Sequence, residues 1–105
     1  MTALRNRLPN RRASETFGFE HDGLHYRATV SRFADGHIGE IFLSNHKSGS
    51  QSDANARDAA VAASKCFQYG CPLDELRGAL LRDSHGRPSS PLGRALDLVV
   101  GNSAA

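Results

Sequence analysis

The sequence predicts an α+β fold, in which a three-stranded antiparallel meander is followed by three helices packed on one face of the sheet. Two observations carry this prediction: hydrophobic residues alternate with polar ones over residues 14–44, and a helical pattern dense in alanine begins near residue 53. Strands first and helices afterwards is the order typical of an α+β domain. A chain of 105 residues has room for one core. We therefore expect a single domain over residues 14–101, preceded by a basic flexible tail at residues 1–13.

The strands follow from a hydrophobic period of two, which marks a sheet with one covered face. The Asp22-Gly23 and Asp35-Gly36 pairs are predicted to form the turns between the strands, because Asp-Gly supplies the positive φ angles of tight hairpins. A third strand is predicted at residues 38–43. The alternating apolar positions of the first two strands are Phe17, Phe19, Leu24, Tyr26, Ala28 and Val30.

The first helix is predicted over residues 53–69. Ser52 or Asp53 can cap its beginning, and Gly70 stands where a C′ residue in the left-handed conformation is needed. Its many small side chains allow a close approach to neighbouring elements, so we expect it to be the central packing helix. Those residues are Ala54, Ala56, Ala59, Ala60, Ala62, Ala63 and Ser64.

Two further helices complete the predicted domain. Pro72 suits the first position of the second helix, and Ser90-Pro91 reads as the N-cap and first residue of the third. Gly101 is expected to end the third helix. The apolar faces are formed by Leu73, Leu76 and Leu80 in the second helix and by Leu92, Ala95, Leu96 and Val99 in the third.

Charge is distributed unevenly, although the net value is only +2. Arg5, Arg7, Arg11 and Arg12 give the first twelve residues +4, while the other nine basic residues face all eleven acidic ones. The tail is interpreted either as a solvated leader or as a contact for nucleic acid or an acidic partner, and nucleic-acid binding is not predicted as the function. No apolar run approaches the roughly 20 residues of a membrane span, and no secretory signal is present, so we expect a cytoplasmic protein.

The cysteines and histidines do not predict a catalytic or metal site. If Gly70 is the C′ residue, Cys66 and Cys71 occupy the two positions whose side chains touch in a Schellman ending. They are interpreted as small apolar plugs, with a regulatory disulfide or a metal site as alternatives. No nucleophile–base–orienter set can be read among His21, His25, His37, His46 and His85.

The loop before the first helix is the most prominent candidate site. A helix N-terminus presents unpaired N–H groups, glycine allows a ligand to approach, and Lys47 adds positive charge. A plain capped loop is the competing interpretation, because the spacing differs from the P-loop pattern. The candidate anion-binding residues are Lys47, Ser48, Gly49 and Ser50, assisted by Arg57 or Arg87 from the loop at residues 82–90.

The outward face of the meander is polar but weakly charged. If the helices cover one side of the sheet only, this face is open to water or to a second copy of the chain. A homodimer through the sheet face is therefore a hypothesis. The face is formed by His25, Arg27, Thr29 and Ser31.

Several segments together resemble the TSCPD domain, which is found at the C-terminus of adenosylcobalamin-dependent ribonucleotide reductases and as short stand-alone proteins. The resemblance covers residues 15–100, and the Thr-Ser-Cys-Pro-Asp string of the family name is missing. It implies an association with ribonucleotide reductase, without the barrel, radical cysteine or cobalamin site that reduction needs. The segments are Ile38-Gly39-Glu40-Ile41-Phe42-Leu43, Lys47-Ser48-Gly49-Ser50, residues 59–70, Pro72-Leu73, residues 76–80, Gly86-Arg87-Pro88 and residues 91–97.

Three functions follow as hypotheses. The first is a non-catalytic accessory module that binds a protein partner, such as the reductase itself, and has no cofactor. The second is a small protein that holds nucleotide phosphates at the Lys47 loop and senses or sequesters nucleotides. A direct part in ribonucleoside-diphosphate reduction is the weakest of the three, because no acid–base pair or metal cluster stands out in the sequence.

Overall fold

Three strands run in sequence order in an antiparallel sheet, and three helices follow them. The computed structural model describes residues 4–104, with side chains described for residues 4–101. The strands are β1 (Ser14–His21), β2 (Leu24–Arg32) and β3 (Ile38–Asn45), paired in the order β1-β2-β3. The helices are α1 (Gln51–Gln68), α2 (Leu73–Ala79) and α3 (Pro91–Ala104). The predicted α+β fold is confirmed.

The first hairpin closes at the predicted Asp-Gly pair. Asp22 has a φ of 52° and Gly23 a φ of 79°. Two consecutive positive φ angles are what a two-residue hairpin loop of the I′ type requires, because their twist matches that of the flanking strands. The local sequence therefore fixes the register in which His21 pairs with Leu24.

One face of the sheet forms the core. Tyr26, Ala28 and Val30 of β2 are buried, as are Ile41 and Leu43 of β3, while the residues between them are more exposed or face the other side. The strand β3 is two residues longer than predicted and ends at Asn45.

The helix α1 packs against β3 through small side chains. Ala56, Ala60 and Ala63 are each at most 3% exposed. Their size lets the helix backbone approach the sheet closely, as the sequence predicted. Phe67 fills the wider space at the end of the same stripe and is 2% exposed.

The N-cap of α1 is Ser50, so the prediction of Ser52 or Asp53 is wrong. Ser50 has extended backbone angles (φ −75°, ψ 161°), and its Oγ accepts the N–H of Asp53 at 3.2 Å. The cap is set by the last residue that stays extended, and the turn through Gly49 places that residue earlier than the hydrophobic pattern suggested.

The predicted Schellman ending of α1 is confirmed. Gly70 has a φ of 101°. The N–H of Cys71 donates to the carbonyl of Cys66 at 3.0 Å, and the N–H of Gly70 donates to the carbonyl of Phe67 at 3.1 Å. This pattern reverses the chain and directs it towards α2.

Polar side chains of α1 bond the backbone of β3 along the edge that no strand covers. Ser64 Oγ accepts the N–H of Ile41 and donates to the carbonyl of the same residue, both at 2.9 Å. Gln68 Nε2 donates to the carbonyl of Gly39 at 2.9 Å. Because an open edge is a template for pairing with another chain, these bonds also block further strand addition at β3.

The helix α2 begins one residue later than predicted. Pro72 is its N-cap, with extended backbone angles, rather than its first helical residue. The shift has a local cause, since Pro72 directly follows the Schellman turn and its carbonyl accepts the first helical bond, from Leu76. The predicted apolar stripe of Leu73, Leu76 and Leu80 does pack against the core.

The helix α3 begins as predicted but does not end at Gly101. Ser90 Oγ accepts the N–H of Gly93 at 3.1 Å, and Pro91 is the first helical residue. The helix continues to Ala104, so the predicted end is wrong. A glycine inside a helix costs only about 0.5–1 kcal/mol relative to alanine and does not by itself stop it. The predicted apolar face is buried at Leu92, Ala95, Leu96 and Val99.

One ion-pair cluster ties α2 and the loop after it to α3. Asp97 accepts Arg77 Nε at 2.8 Å, and Arg82 reaches both of its carboxylate oxygens at 2.7 and 2.9 Å. The Arg82 hydrogen bonds, and then those from Arg77, hold the pKa of Asp97 below its ordinary value of 3.8, against the opposing effect of burial. The cluster therefore favours the charged carboxylate in the folded state.

This lowered pKa predicts a loss of stability in acid. A carboxyl group whose pKa is lower in the folded state stabilises the fold above its unfolded pKa, and that contribution disappears as the pH falls through the folded value. We expect urea unfolding to show a decline below about pH 4, and Asp97→Asn to flatten this part of the profile and to lower stability at pH 7. Asp58→Asn, at an exposed position on α1, is the matched control. Parallel profiles for Asp97→Asn and the unaltered protein would contradict the assignment.

The segment before β1 lies against the body of the protein. The N–H of Asn6 donates to the carbonyl of Gln68 at 2.7 Å, and Arg12 pairs with Glu40 at 3.3 Å. The predicted flexible tail spans residues 1–13, of which residues 1–3 lie outside the described part, and its flexibility stays a prediction. Among residues 4–104, no helix has the length and hydropathy that crossing a bilayer requires.

Candidate functional site

The predicted anion-binding turn bonds mainly to itself and to the end of β3. Lys47, Ser48, Gly49 and Ser50 form a turn in which the N–H of Ser50 donates to the carbonyl of Lys47 at 3.0 Å. Asn45 Oδ1 accepts the N–H of Lys47 at 2.9 Å. Ser50 Oγ is occupied as the helix cap. The exposed Lys47 ammonium group has no bonding partner within residues 4–101.

A buried carboxylate occupies the N-terminal end of α1. Asp53 is only 3% exposed, and it accepts the N–H of Asn45 at 2.9 Å and Arg57 Nε at 2.8 Å. The Asn45 N–H first, and then the Arg57 guanidinium, hold the pKa of Asp53 below its ordinary value. A negative charge at a helix N-terminus is stabilised by the helix dipole, so Asp53 already supplies an anion where a phosphate was predicted to bind.

Arg57 links this helix end to an exposed aromatic ring. Its guanidinium carbon lies 5.4 Å from the centroid of Phe42, in the range of a cation–π interaction. The structure therefore brings Ser50 and Arg57 together around Asp53, and it places Arg57 beside β3.

Arg87 lines a different cleft, to which the Lys47 turn does not contribute. Its Nε donates to Asp83 Oδ2 at 3.1 Å, and it lines a polar cleft of about 600 Å³ together with Arg94 and Glu20. The turn formed by residues 47–50 does not line this cleft. Assistance from Arg87 at the Lys47 turn has no contact in the structure that supports it.

An apolar depression lies beside β3, between the outward face of the sheet and α1. It has a volume of about 540 Å³. Phe42 is 49% exposed and Val61 is 55% exposed, although both side chains are large and apolar. Exposed apolar side chains that lie together in a depression mark binding surfaces more often than scattered ones do. We call this depression the β3 groove; its lining includes Arg5, Glu40, Phe42, Val61, Lys65 and Gln68.

Basic side chains dominate the rim of the β3 groove. Arg5 Nε donates to Gln68 Oε1 at 2.6 Å, which fixes a guanidinium at one end, and Lys65 lies in the last turn of α1. The one carboxylate in the lining, Glu40, is paired with Arg12. The groove therefore combines an apolar floor with a positive rim.

Sequence reasoning missed this groove. Phe42 lies between two inward residues of β3, so the period of two already pointed it outward. Val61 lies on α1 next to the buried Ala60, on the side of the helix that does not face the core. The sequence pattern indicates that each of these side chains points away from the core. Whether Phe42 and Val61 lie close together depends on how α1 crosses β3.

The two cysteines lie on either side of the Schellman ending and are partly buried. Cys66 and Cys71 are free thiols, and a hydrogen bond with Cys66 together with burial raises the pKa of the Cys71 thiol. A regulatory disulfide between them stays a prediction. No group of three or more metal-ligating side chains is found in the part of the chain that the structure describes.

The outward sheet face is only partly open. His25 and Arg27 are exposed, and Thr29 Oγ1 lies 3.0 Å from Thr16 Oγ1. Ser31 is 4% exposed and does not belong to an open face. A homodimer through this face stays a prediction.

The fold and the groove together define a small α+β module with an apolar groove under a positively charged rim. Comparison with known proteins shows that the chain is similar to a short region of vitamin B12-dependent ribonucleotide reductases. The similarity to the enzyme of Agrobacterium fabrum is 41% identity over 71 residues, which is 68% of this chain and 6% of that protein. For Bradyrhizobium diazoefficiens the identity is 35% over 68% of this chain and 6% of that protein.

A third such enzyme, from Streptantibioticus cattleyicolor, is 34% identical over 71 residues, which is 12% of its length. The matched region is thus a small fraction of each relative. No family model matches the chain. No solved structure matches it.

Proposed function

We propose that this chain is a non-catalytic accessory module of the TSCPD type, which docks on a vitamin B12-dependent ribonucleotide reductase in the cytoplasm through the β3 groove. The observation that carries the proposal is the exposed pair Phe42 and Val61 inside a basic rim. The similarity to 71 residues of such reductases supports the choice of partner.

The chemistry of the groove describes the segment of the partner that fits it. Phe42 and Val61 offer apolar area, and burial of apolar surface contributes about 25 cal/mol per Å². Arg5 and Lys65 favour an acidic neighbour, which steers association and makes it weaker at high salt. We therefore propose that the partner contributes a segment that pairs apolar side chains with carboxylates.

The docking test uses the complete chain and a purified B12-dependent reductase, such as that of Agrobacterium fabrum, in an interferometry experiment. Val61→Glu places a charge in the groove and should weaken binding at least about tenfold, as expected where a central interface contact is lost. Ala62→Glu makes the same change at the next exposed residue of α1, outside the groove lining, and should leave the affinity within about twofold.

Two results would reject the docking proposal. One is a reductase that does not bind the unaltered chain at all. The other is an equal loss of affinity in Val61→Glu and Ala62→Glu, because a general charge effect rather than the groove would then explain it.

Nucleotide binding at the Lys47 turn is the alternative proposal. It is supported by the Lys47 ammonium group, which has no partner within residues 4–101, and by Gly49 two residues later, where a Cβ atom would meet nothing within 4 Å. Under this alternative, nucleotides at millimolar concentration raise the melting temperature, since a ligand of the folded state stabilises it, and Lys47→Ala removes the shift. Shifts that persist in Lys47→Ala would exclude it.

A further inference from the structure

A further cavity lies beneath the tip of the first hairpin, between the first turns of α1 and the beginning of α3. Its volume is about 430 Å³, which is within the range of small-molecule sites. It belongs neither to the β3 groove nor to the Lys47 turn. We call it the hairpin cleft; the lining residues used below are Leu24, Tyr26, Asn55, Ala59, Ser89 and Leu92.

Tyr26 lines the hairpin cleft and carries a phenol hydroxyl to which the described side chains and backbone offer no hydrogen bond. Tyr26 is only 2% exposed, and its ring stacks on Phe19 with centroids 5.6 Å apart. No hydrogen bond to its hydroxyl is found within residues 4–101. Within the described residues no side-chain polar atom is both cut off from solvent and without a hydrogen bond, so the hydroxyl of Tyr26 keeps some contact with solvent. Tyr26 is one of the residues that line the cleft.

The hydroxyl of Tyr26 can donate a hydrogen bond to a bound molecule or accept one from it. Buried tyrosines usually bond their hydroxyl to a partner, and since residues 4–101 supply none to Tyr26, water or a bound molecule takes that place. The ring of Tyr26 is held in place by stacking on Phe19 and by its position in β2, so its hydroxyl has one fixed position. A bound molecule that offers a hydrogen-bonding edge would satisfy it.

The remaining walls define what kind of molecule fits. Leu24, Ala59 and Leu92 provide apolar surface. Asn55 Oδ1 accepts Gln51 Nε2 at 2.9 Å, which leaves the Asn55 amide N–H groups as donors towards a ligand. The lining contains no lysine or arginine, and besides Tyr26 its ionisable groups are His21 and Asp22. These walls suit a neutral, flat ring with a polar edge better than an anion.

We propose that the hairpin cleft binds a neutral heterocycle of nucleoside size, with its ring against Leu24 and Leu92 and its polar edge bonded to the hydroxyl of Tyr26 and the amide of Asn55. This site goes beyond the docking function, since it uses other residues and a different class of ligand. No cation lines the hairpin cleft itself, and in the polar cleft that shares His21, Asp22 and Ser89 with it, Arg87 is already paired with Asp83.

The test is a titration of the isotope-labelled full chain with adenosine, guanosine, cytidine and uridine, and with their 5′-monophosphates, followed by amide chemical shifts. We expect at least one nucleoside at millimolar concentration to shift amides around Leu24, Asn55 and Leu92, and its monophosphate to bind no more tightly. Tyr26→Phe removes only the hydroxyl and should raise the dissociation constant roughly two- to twelvefold, the value of one hydrogen bond.

A second variant keeps the result independent of effects on folding. Ala59→Leu fills the cleft and should abolish the shifts, whereas Ala62→Leu, on the exposed side of the same helix, should preserve them. The site is overturned if no nucleoside shifts these amides, if the shifts centre on residues 47–50 instead, or if Tyr26→Phe or Ala59→Leu binds as tightly as the unaltered chain. Docking on the reductase is measured without nucleoside, so the two proposals can fail separately.

Discussion

Replacing Leu96 with alanine should lower the free energy of unfolding by about 2–5 kcal/mol, the range measured for leucine truncations in protein cores. Leu96 is fully buried in α3, among the largest side chains of the core. The change removes apolar contacts and leaves a cavity that the surrounding sheet and helices can fill only in part. In a domain with an ordinary stability of about 5–15 kcal/mol, this loss is a large fraction of the total.

The measurement is urea unfolding at pH 7, with Leu81→Ala as the matched control. Leu81 is 75% exposed, so the same truncation there should cost less than about 0.5 kcal/mol. A cost at Leu96 no greater than that at Leu81 would mean that α3 does not pack on the sheet as described.

Replacing Ser64 with alanine should cost about 2–3 kcal/mol, because it leaves the N–H and the carbonyl of Ile41 without the side chain that bonds both. Ser64 is 8% exposed, so water reaches these groups poorly. Alanine is the better helix former, and the measured value is therefore net of a small gain in α1. A second effect is expected at the sheet, where the amide proton of Ile41 should exchange faster with solvent.

Ser84→Ala controls for the loss of a hydroxyl group. Ser84 is exposed in the loop before α3, and its replacement should change stability by no more than about 0.5 kcal/mol. If Ser64→Ala were equally neutral and left the exchange of Ile41 unchanged, the covering of the β3 edge by α1 would be refuted.

The elements that sequence predicted well are those with local causes. Two residues, Asp22 and Gly23, suffice to close the first hairpin, and Gly70 suffices to end α1, because each depends on backbone angles that few residues adopt. Boundaries set by competition between neighbours were predicted less well. The cap at Ser50, the start of α2 after Pro72 and the passage of α3 through Gly101 each depend on which of several permitted conformations the surroundings select.

The features that position the candidate surfaces come from distant parts of the chain. Gln68 accepts a hydrogen bond from Arg5, which is 63 positions away in the sequence. Asp97 accepts hydrogen bonds from two arginines that precede it by 15 and 20 positions. No period or turn signal encodes such pairs. The groove and the cleft could therefore not be predicted from the sequence, although the period of two predicted the inward position of Tyr26.

Sedimentation of the chain alone and mixed with a B12-dependent ribonucleotide reductase tests the docking proposal most directly. The run with the chain alone gives the reference position, and a monomer at micromolar concentration would rule out the homodimer through the sheet face. In the mixture the chain should move with the reductase, and Val61→Glu should return it to the position of the free chain. A chain that sediments apart from the reductase would contradict the docking proposal.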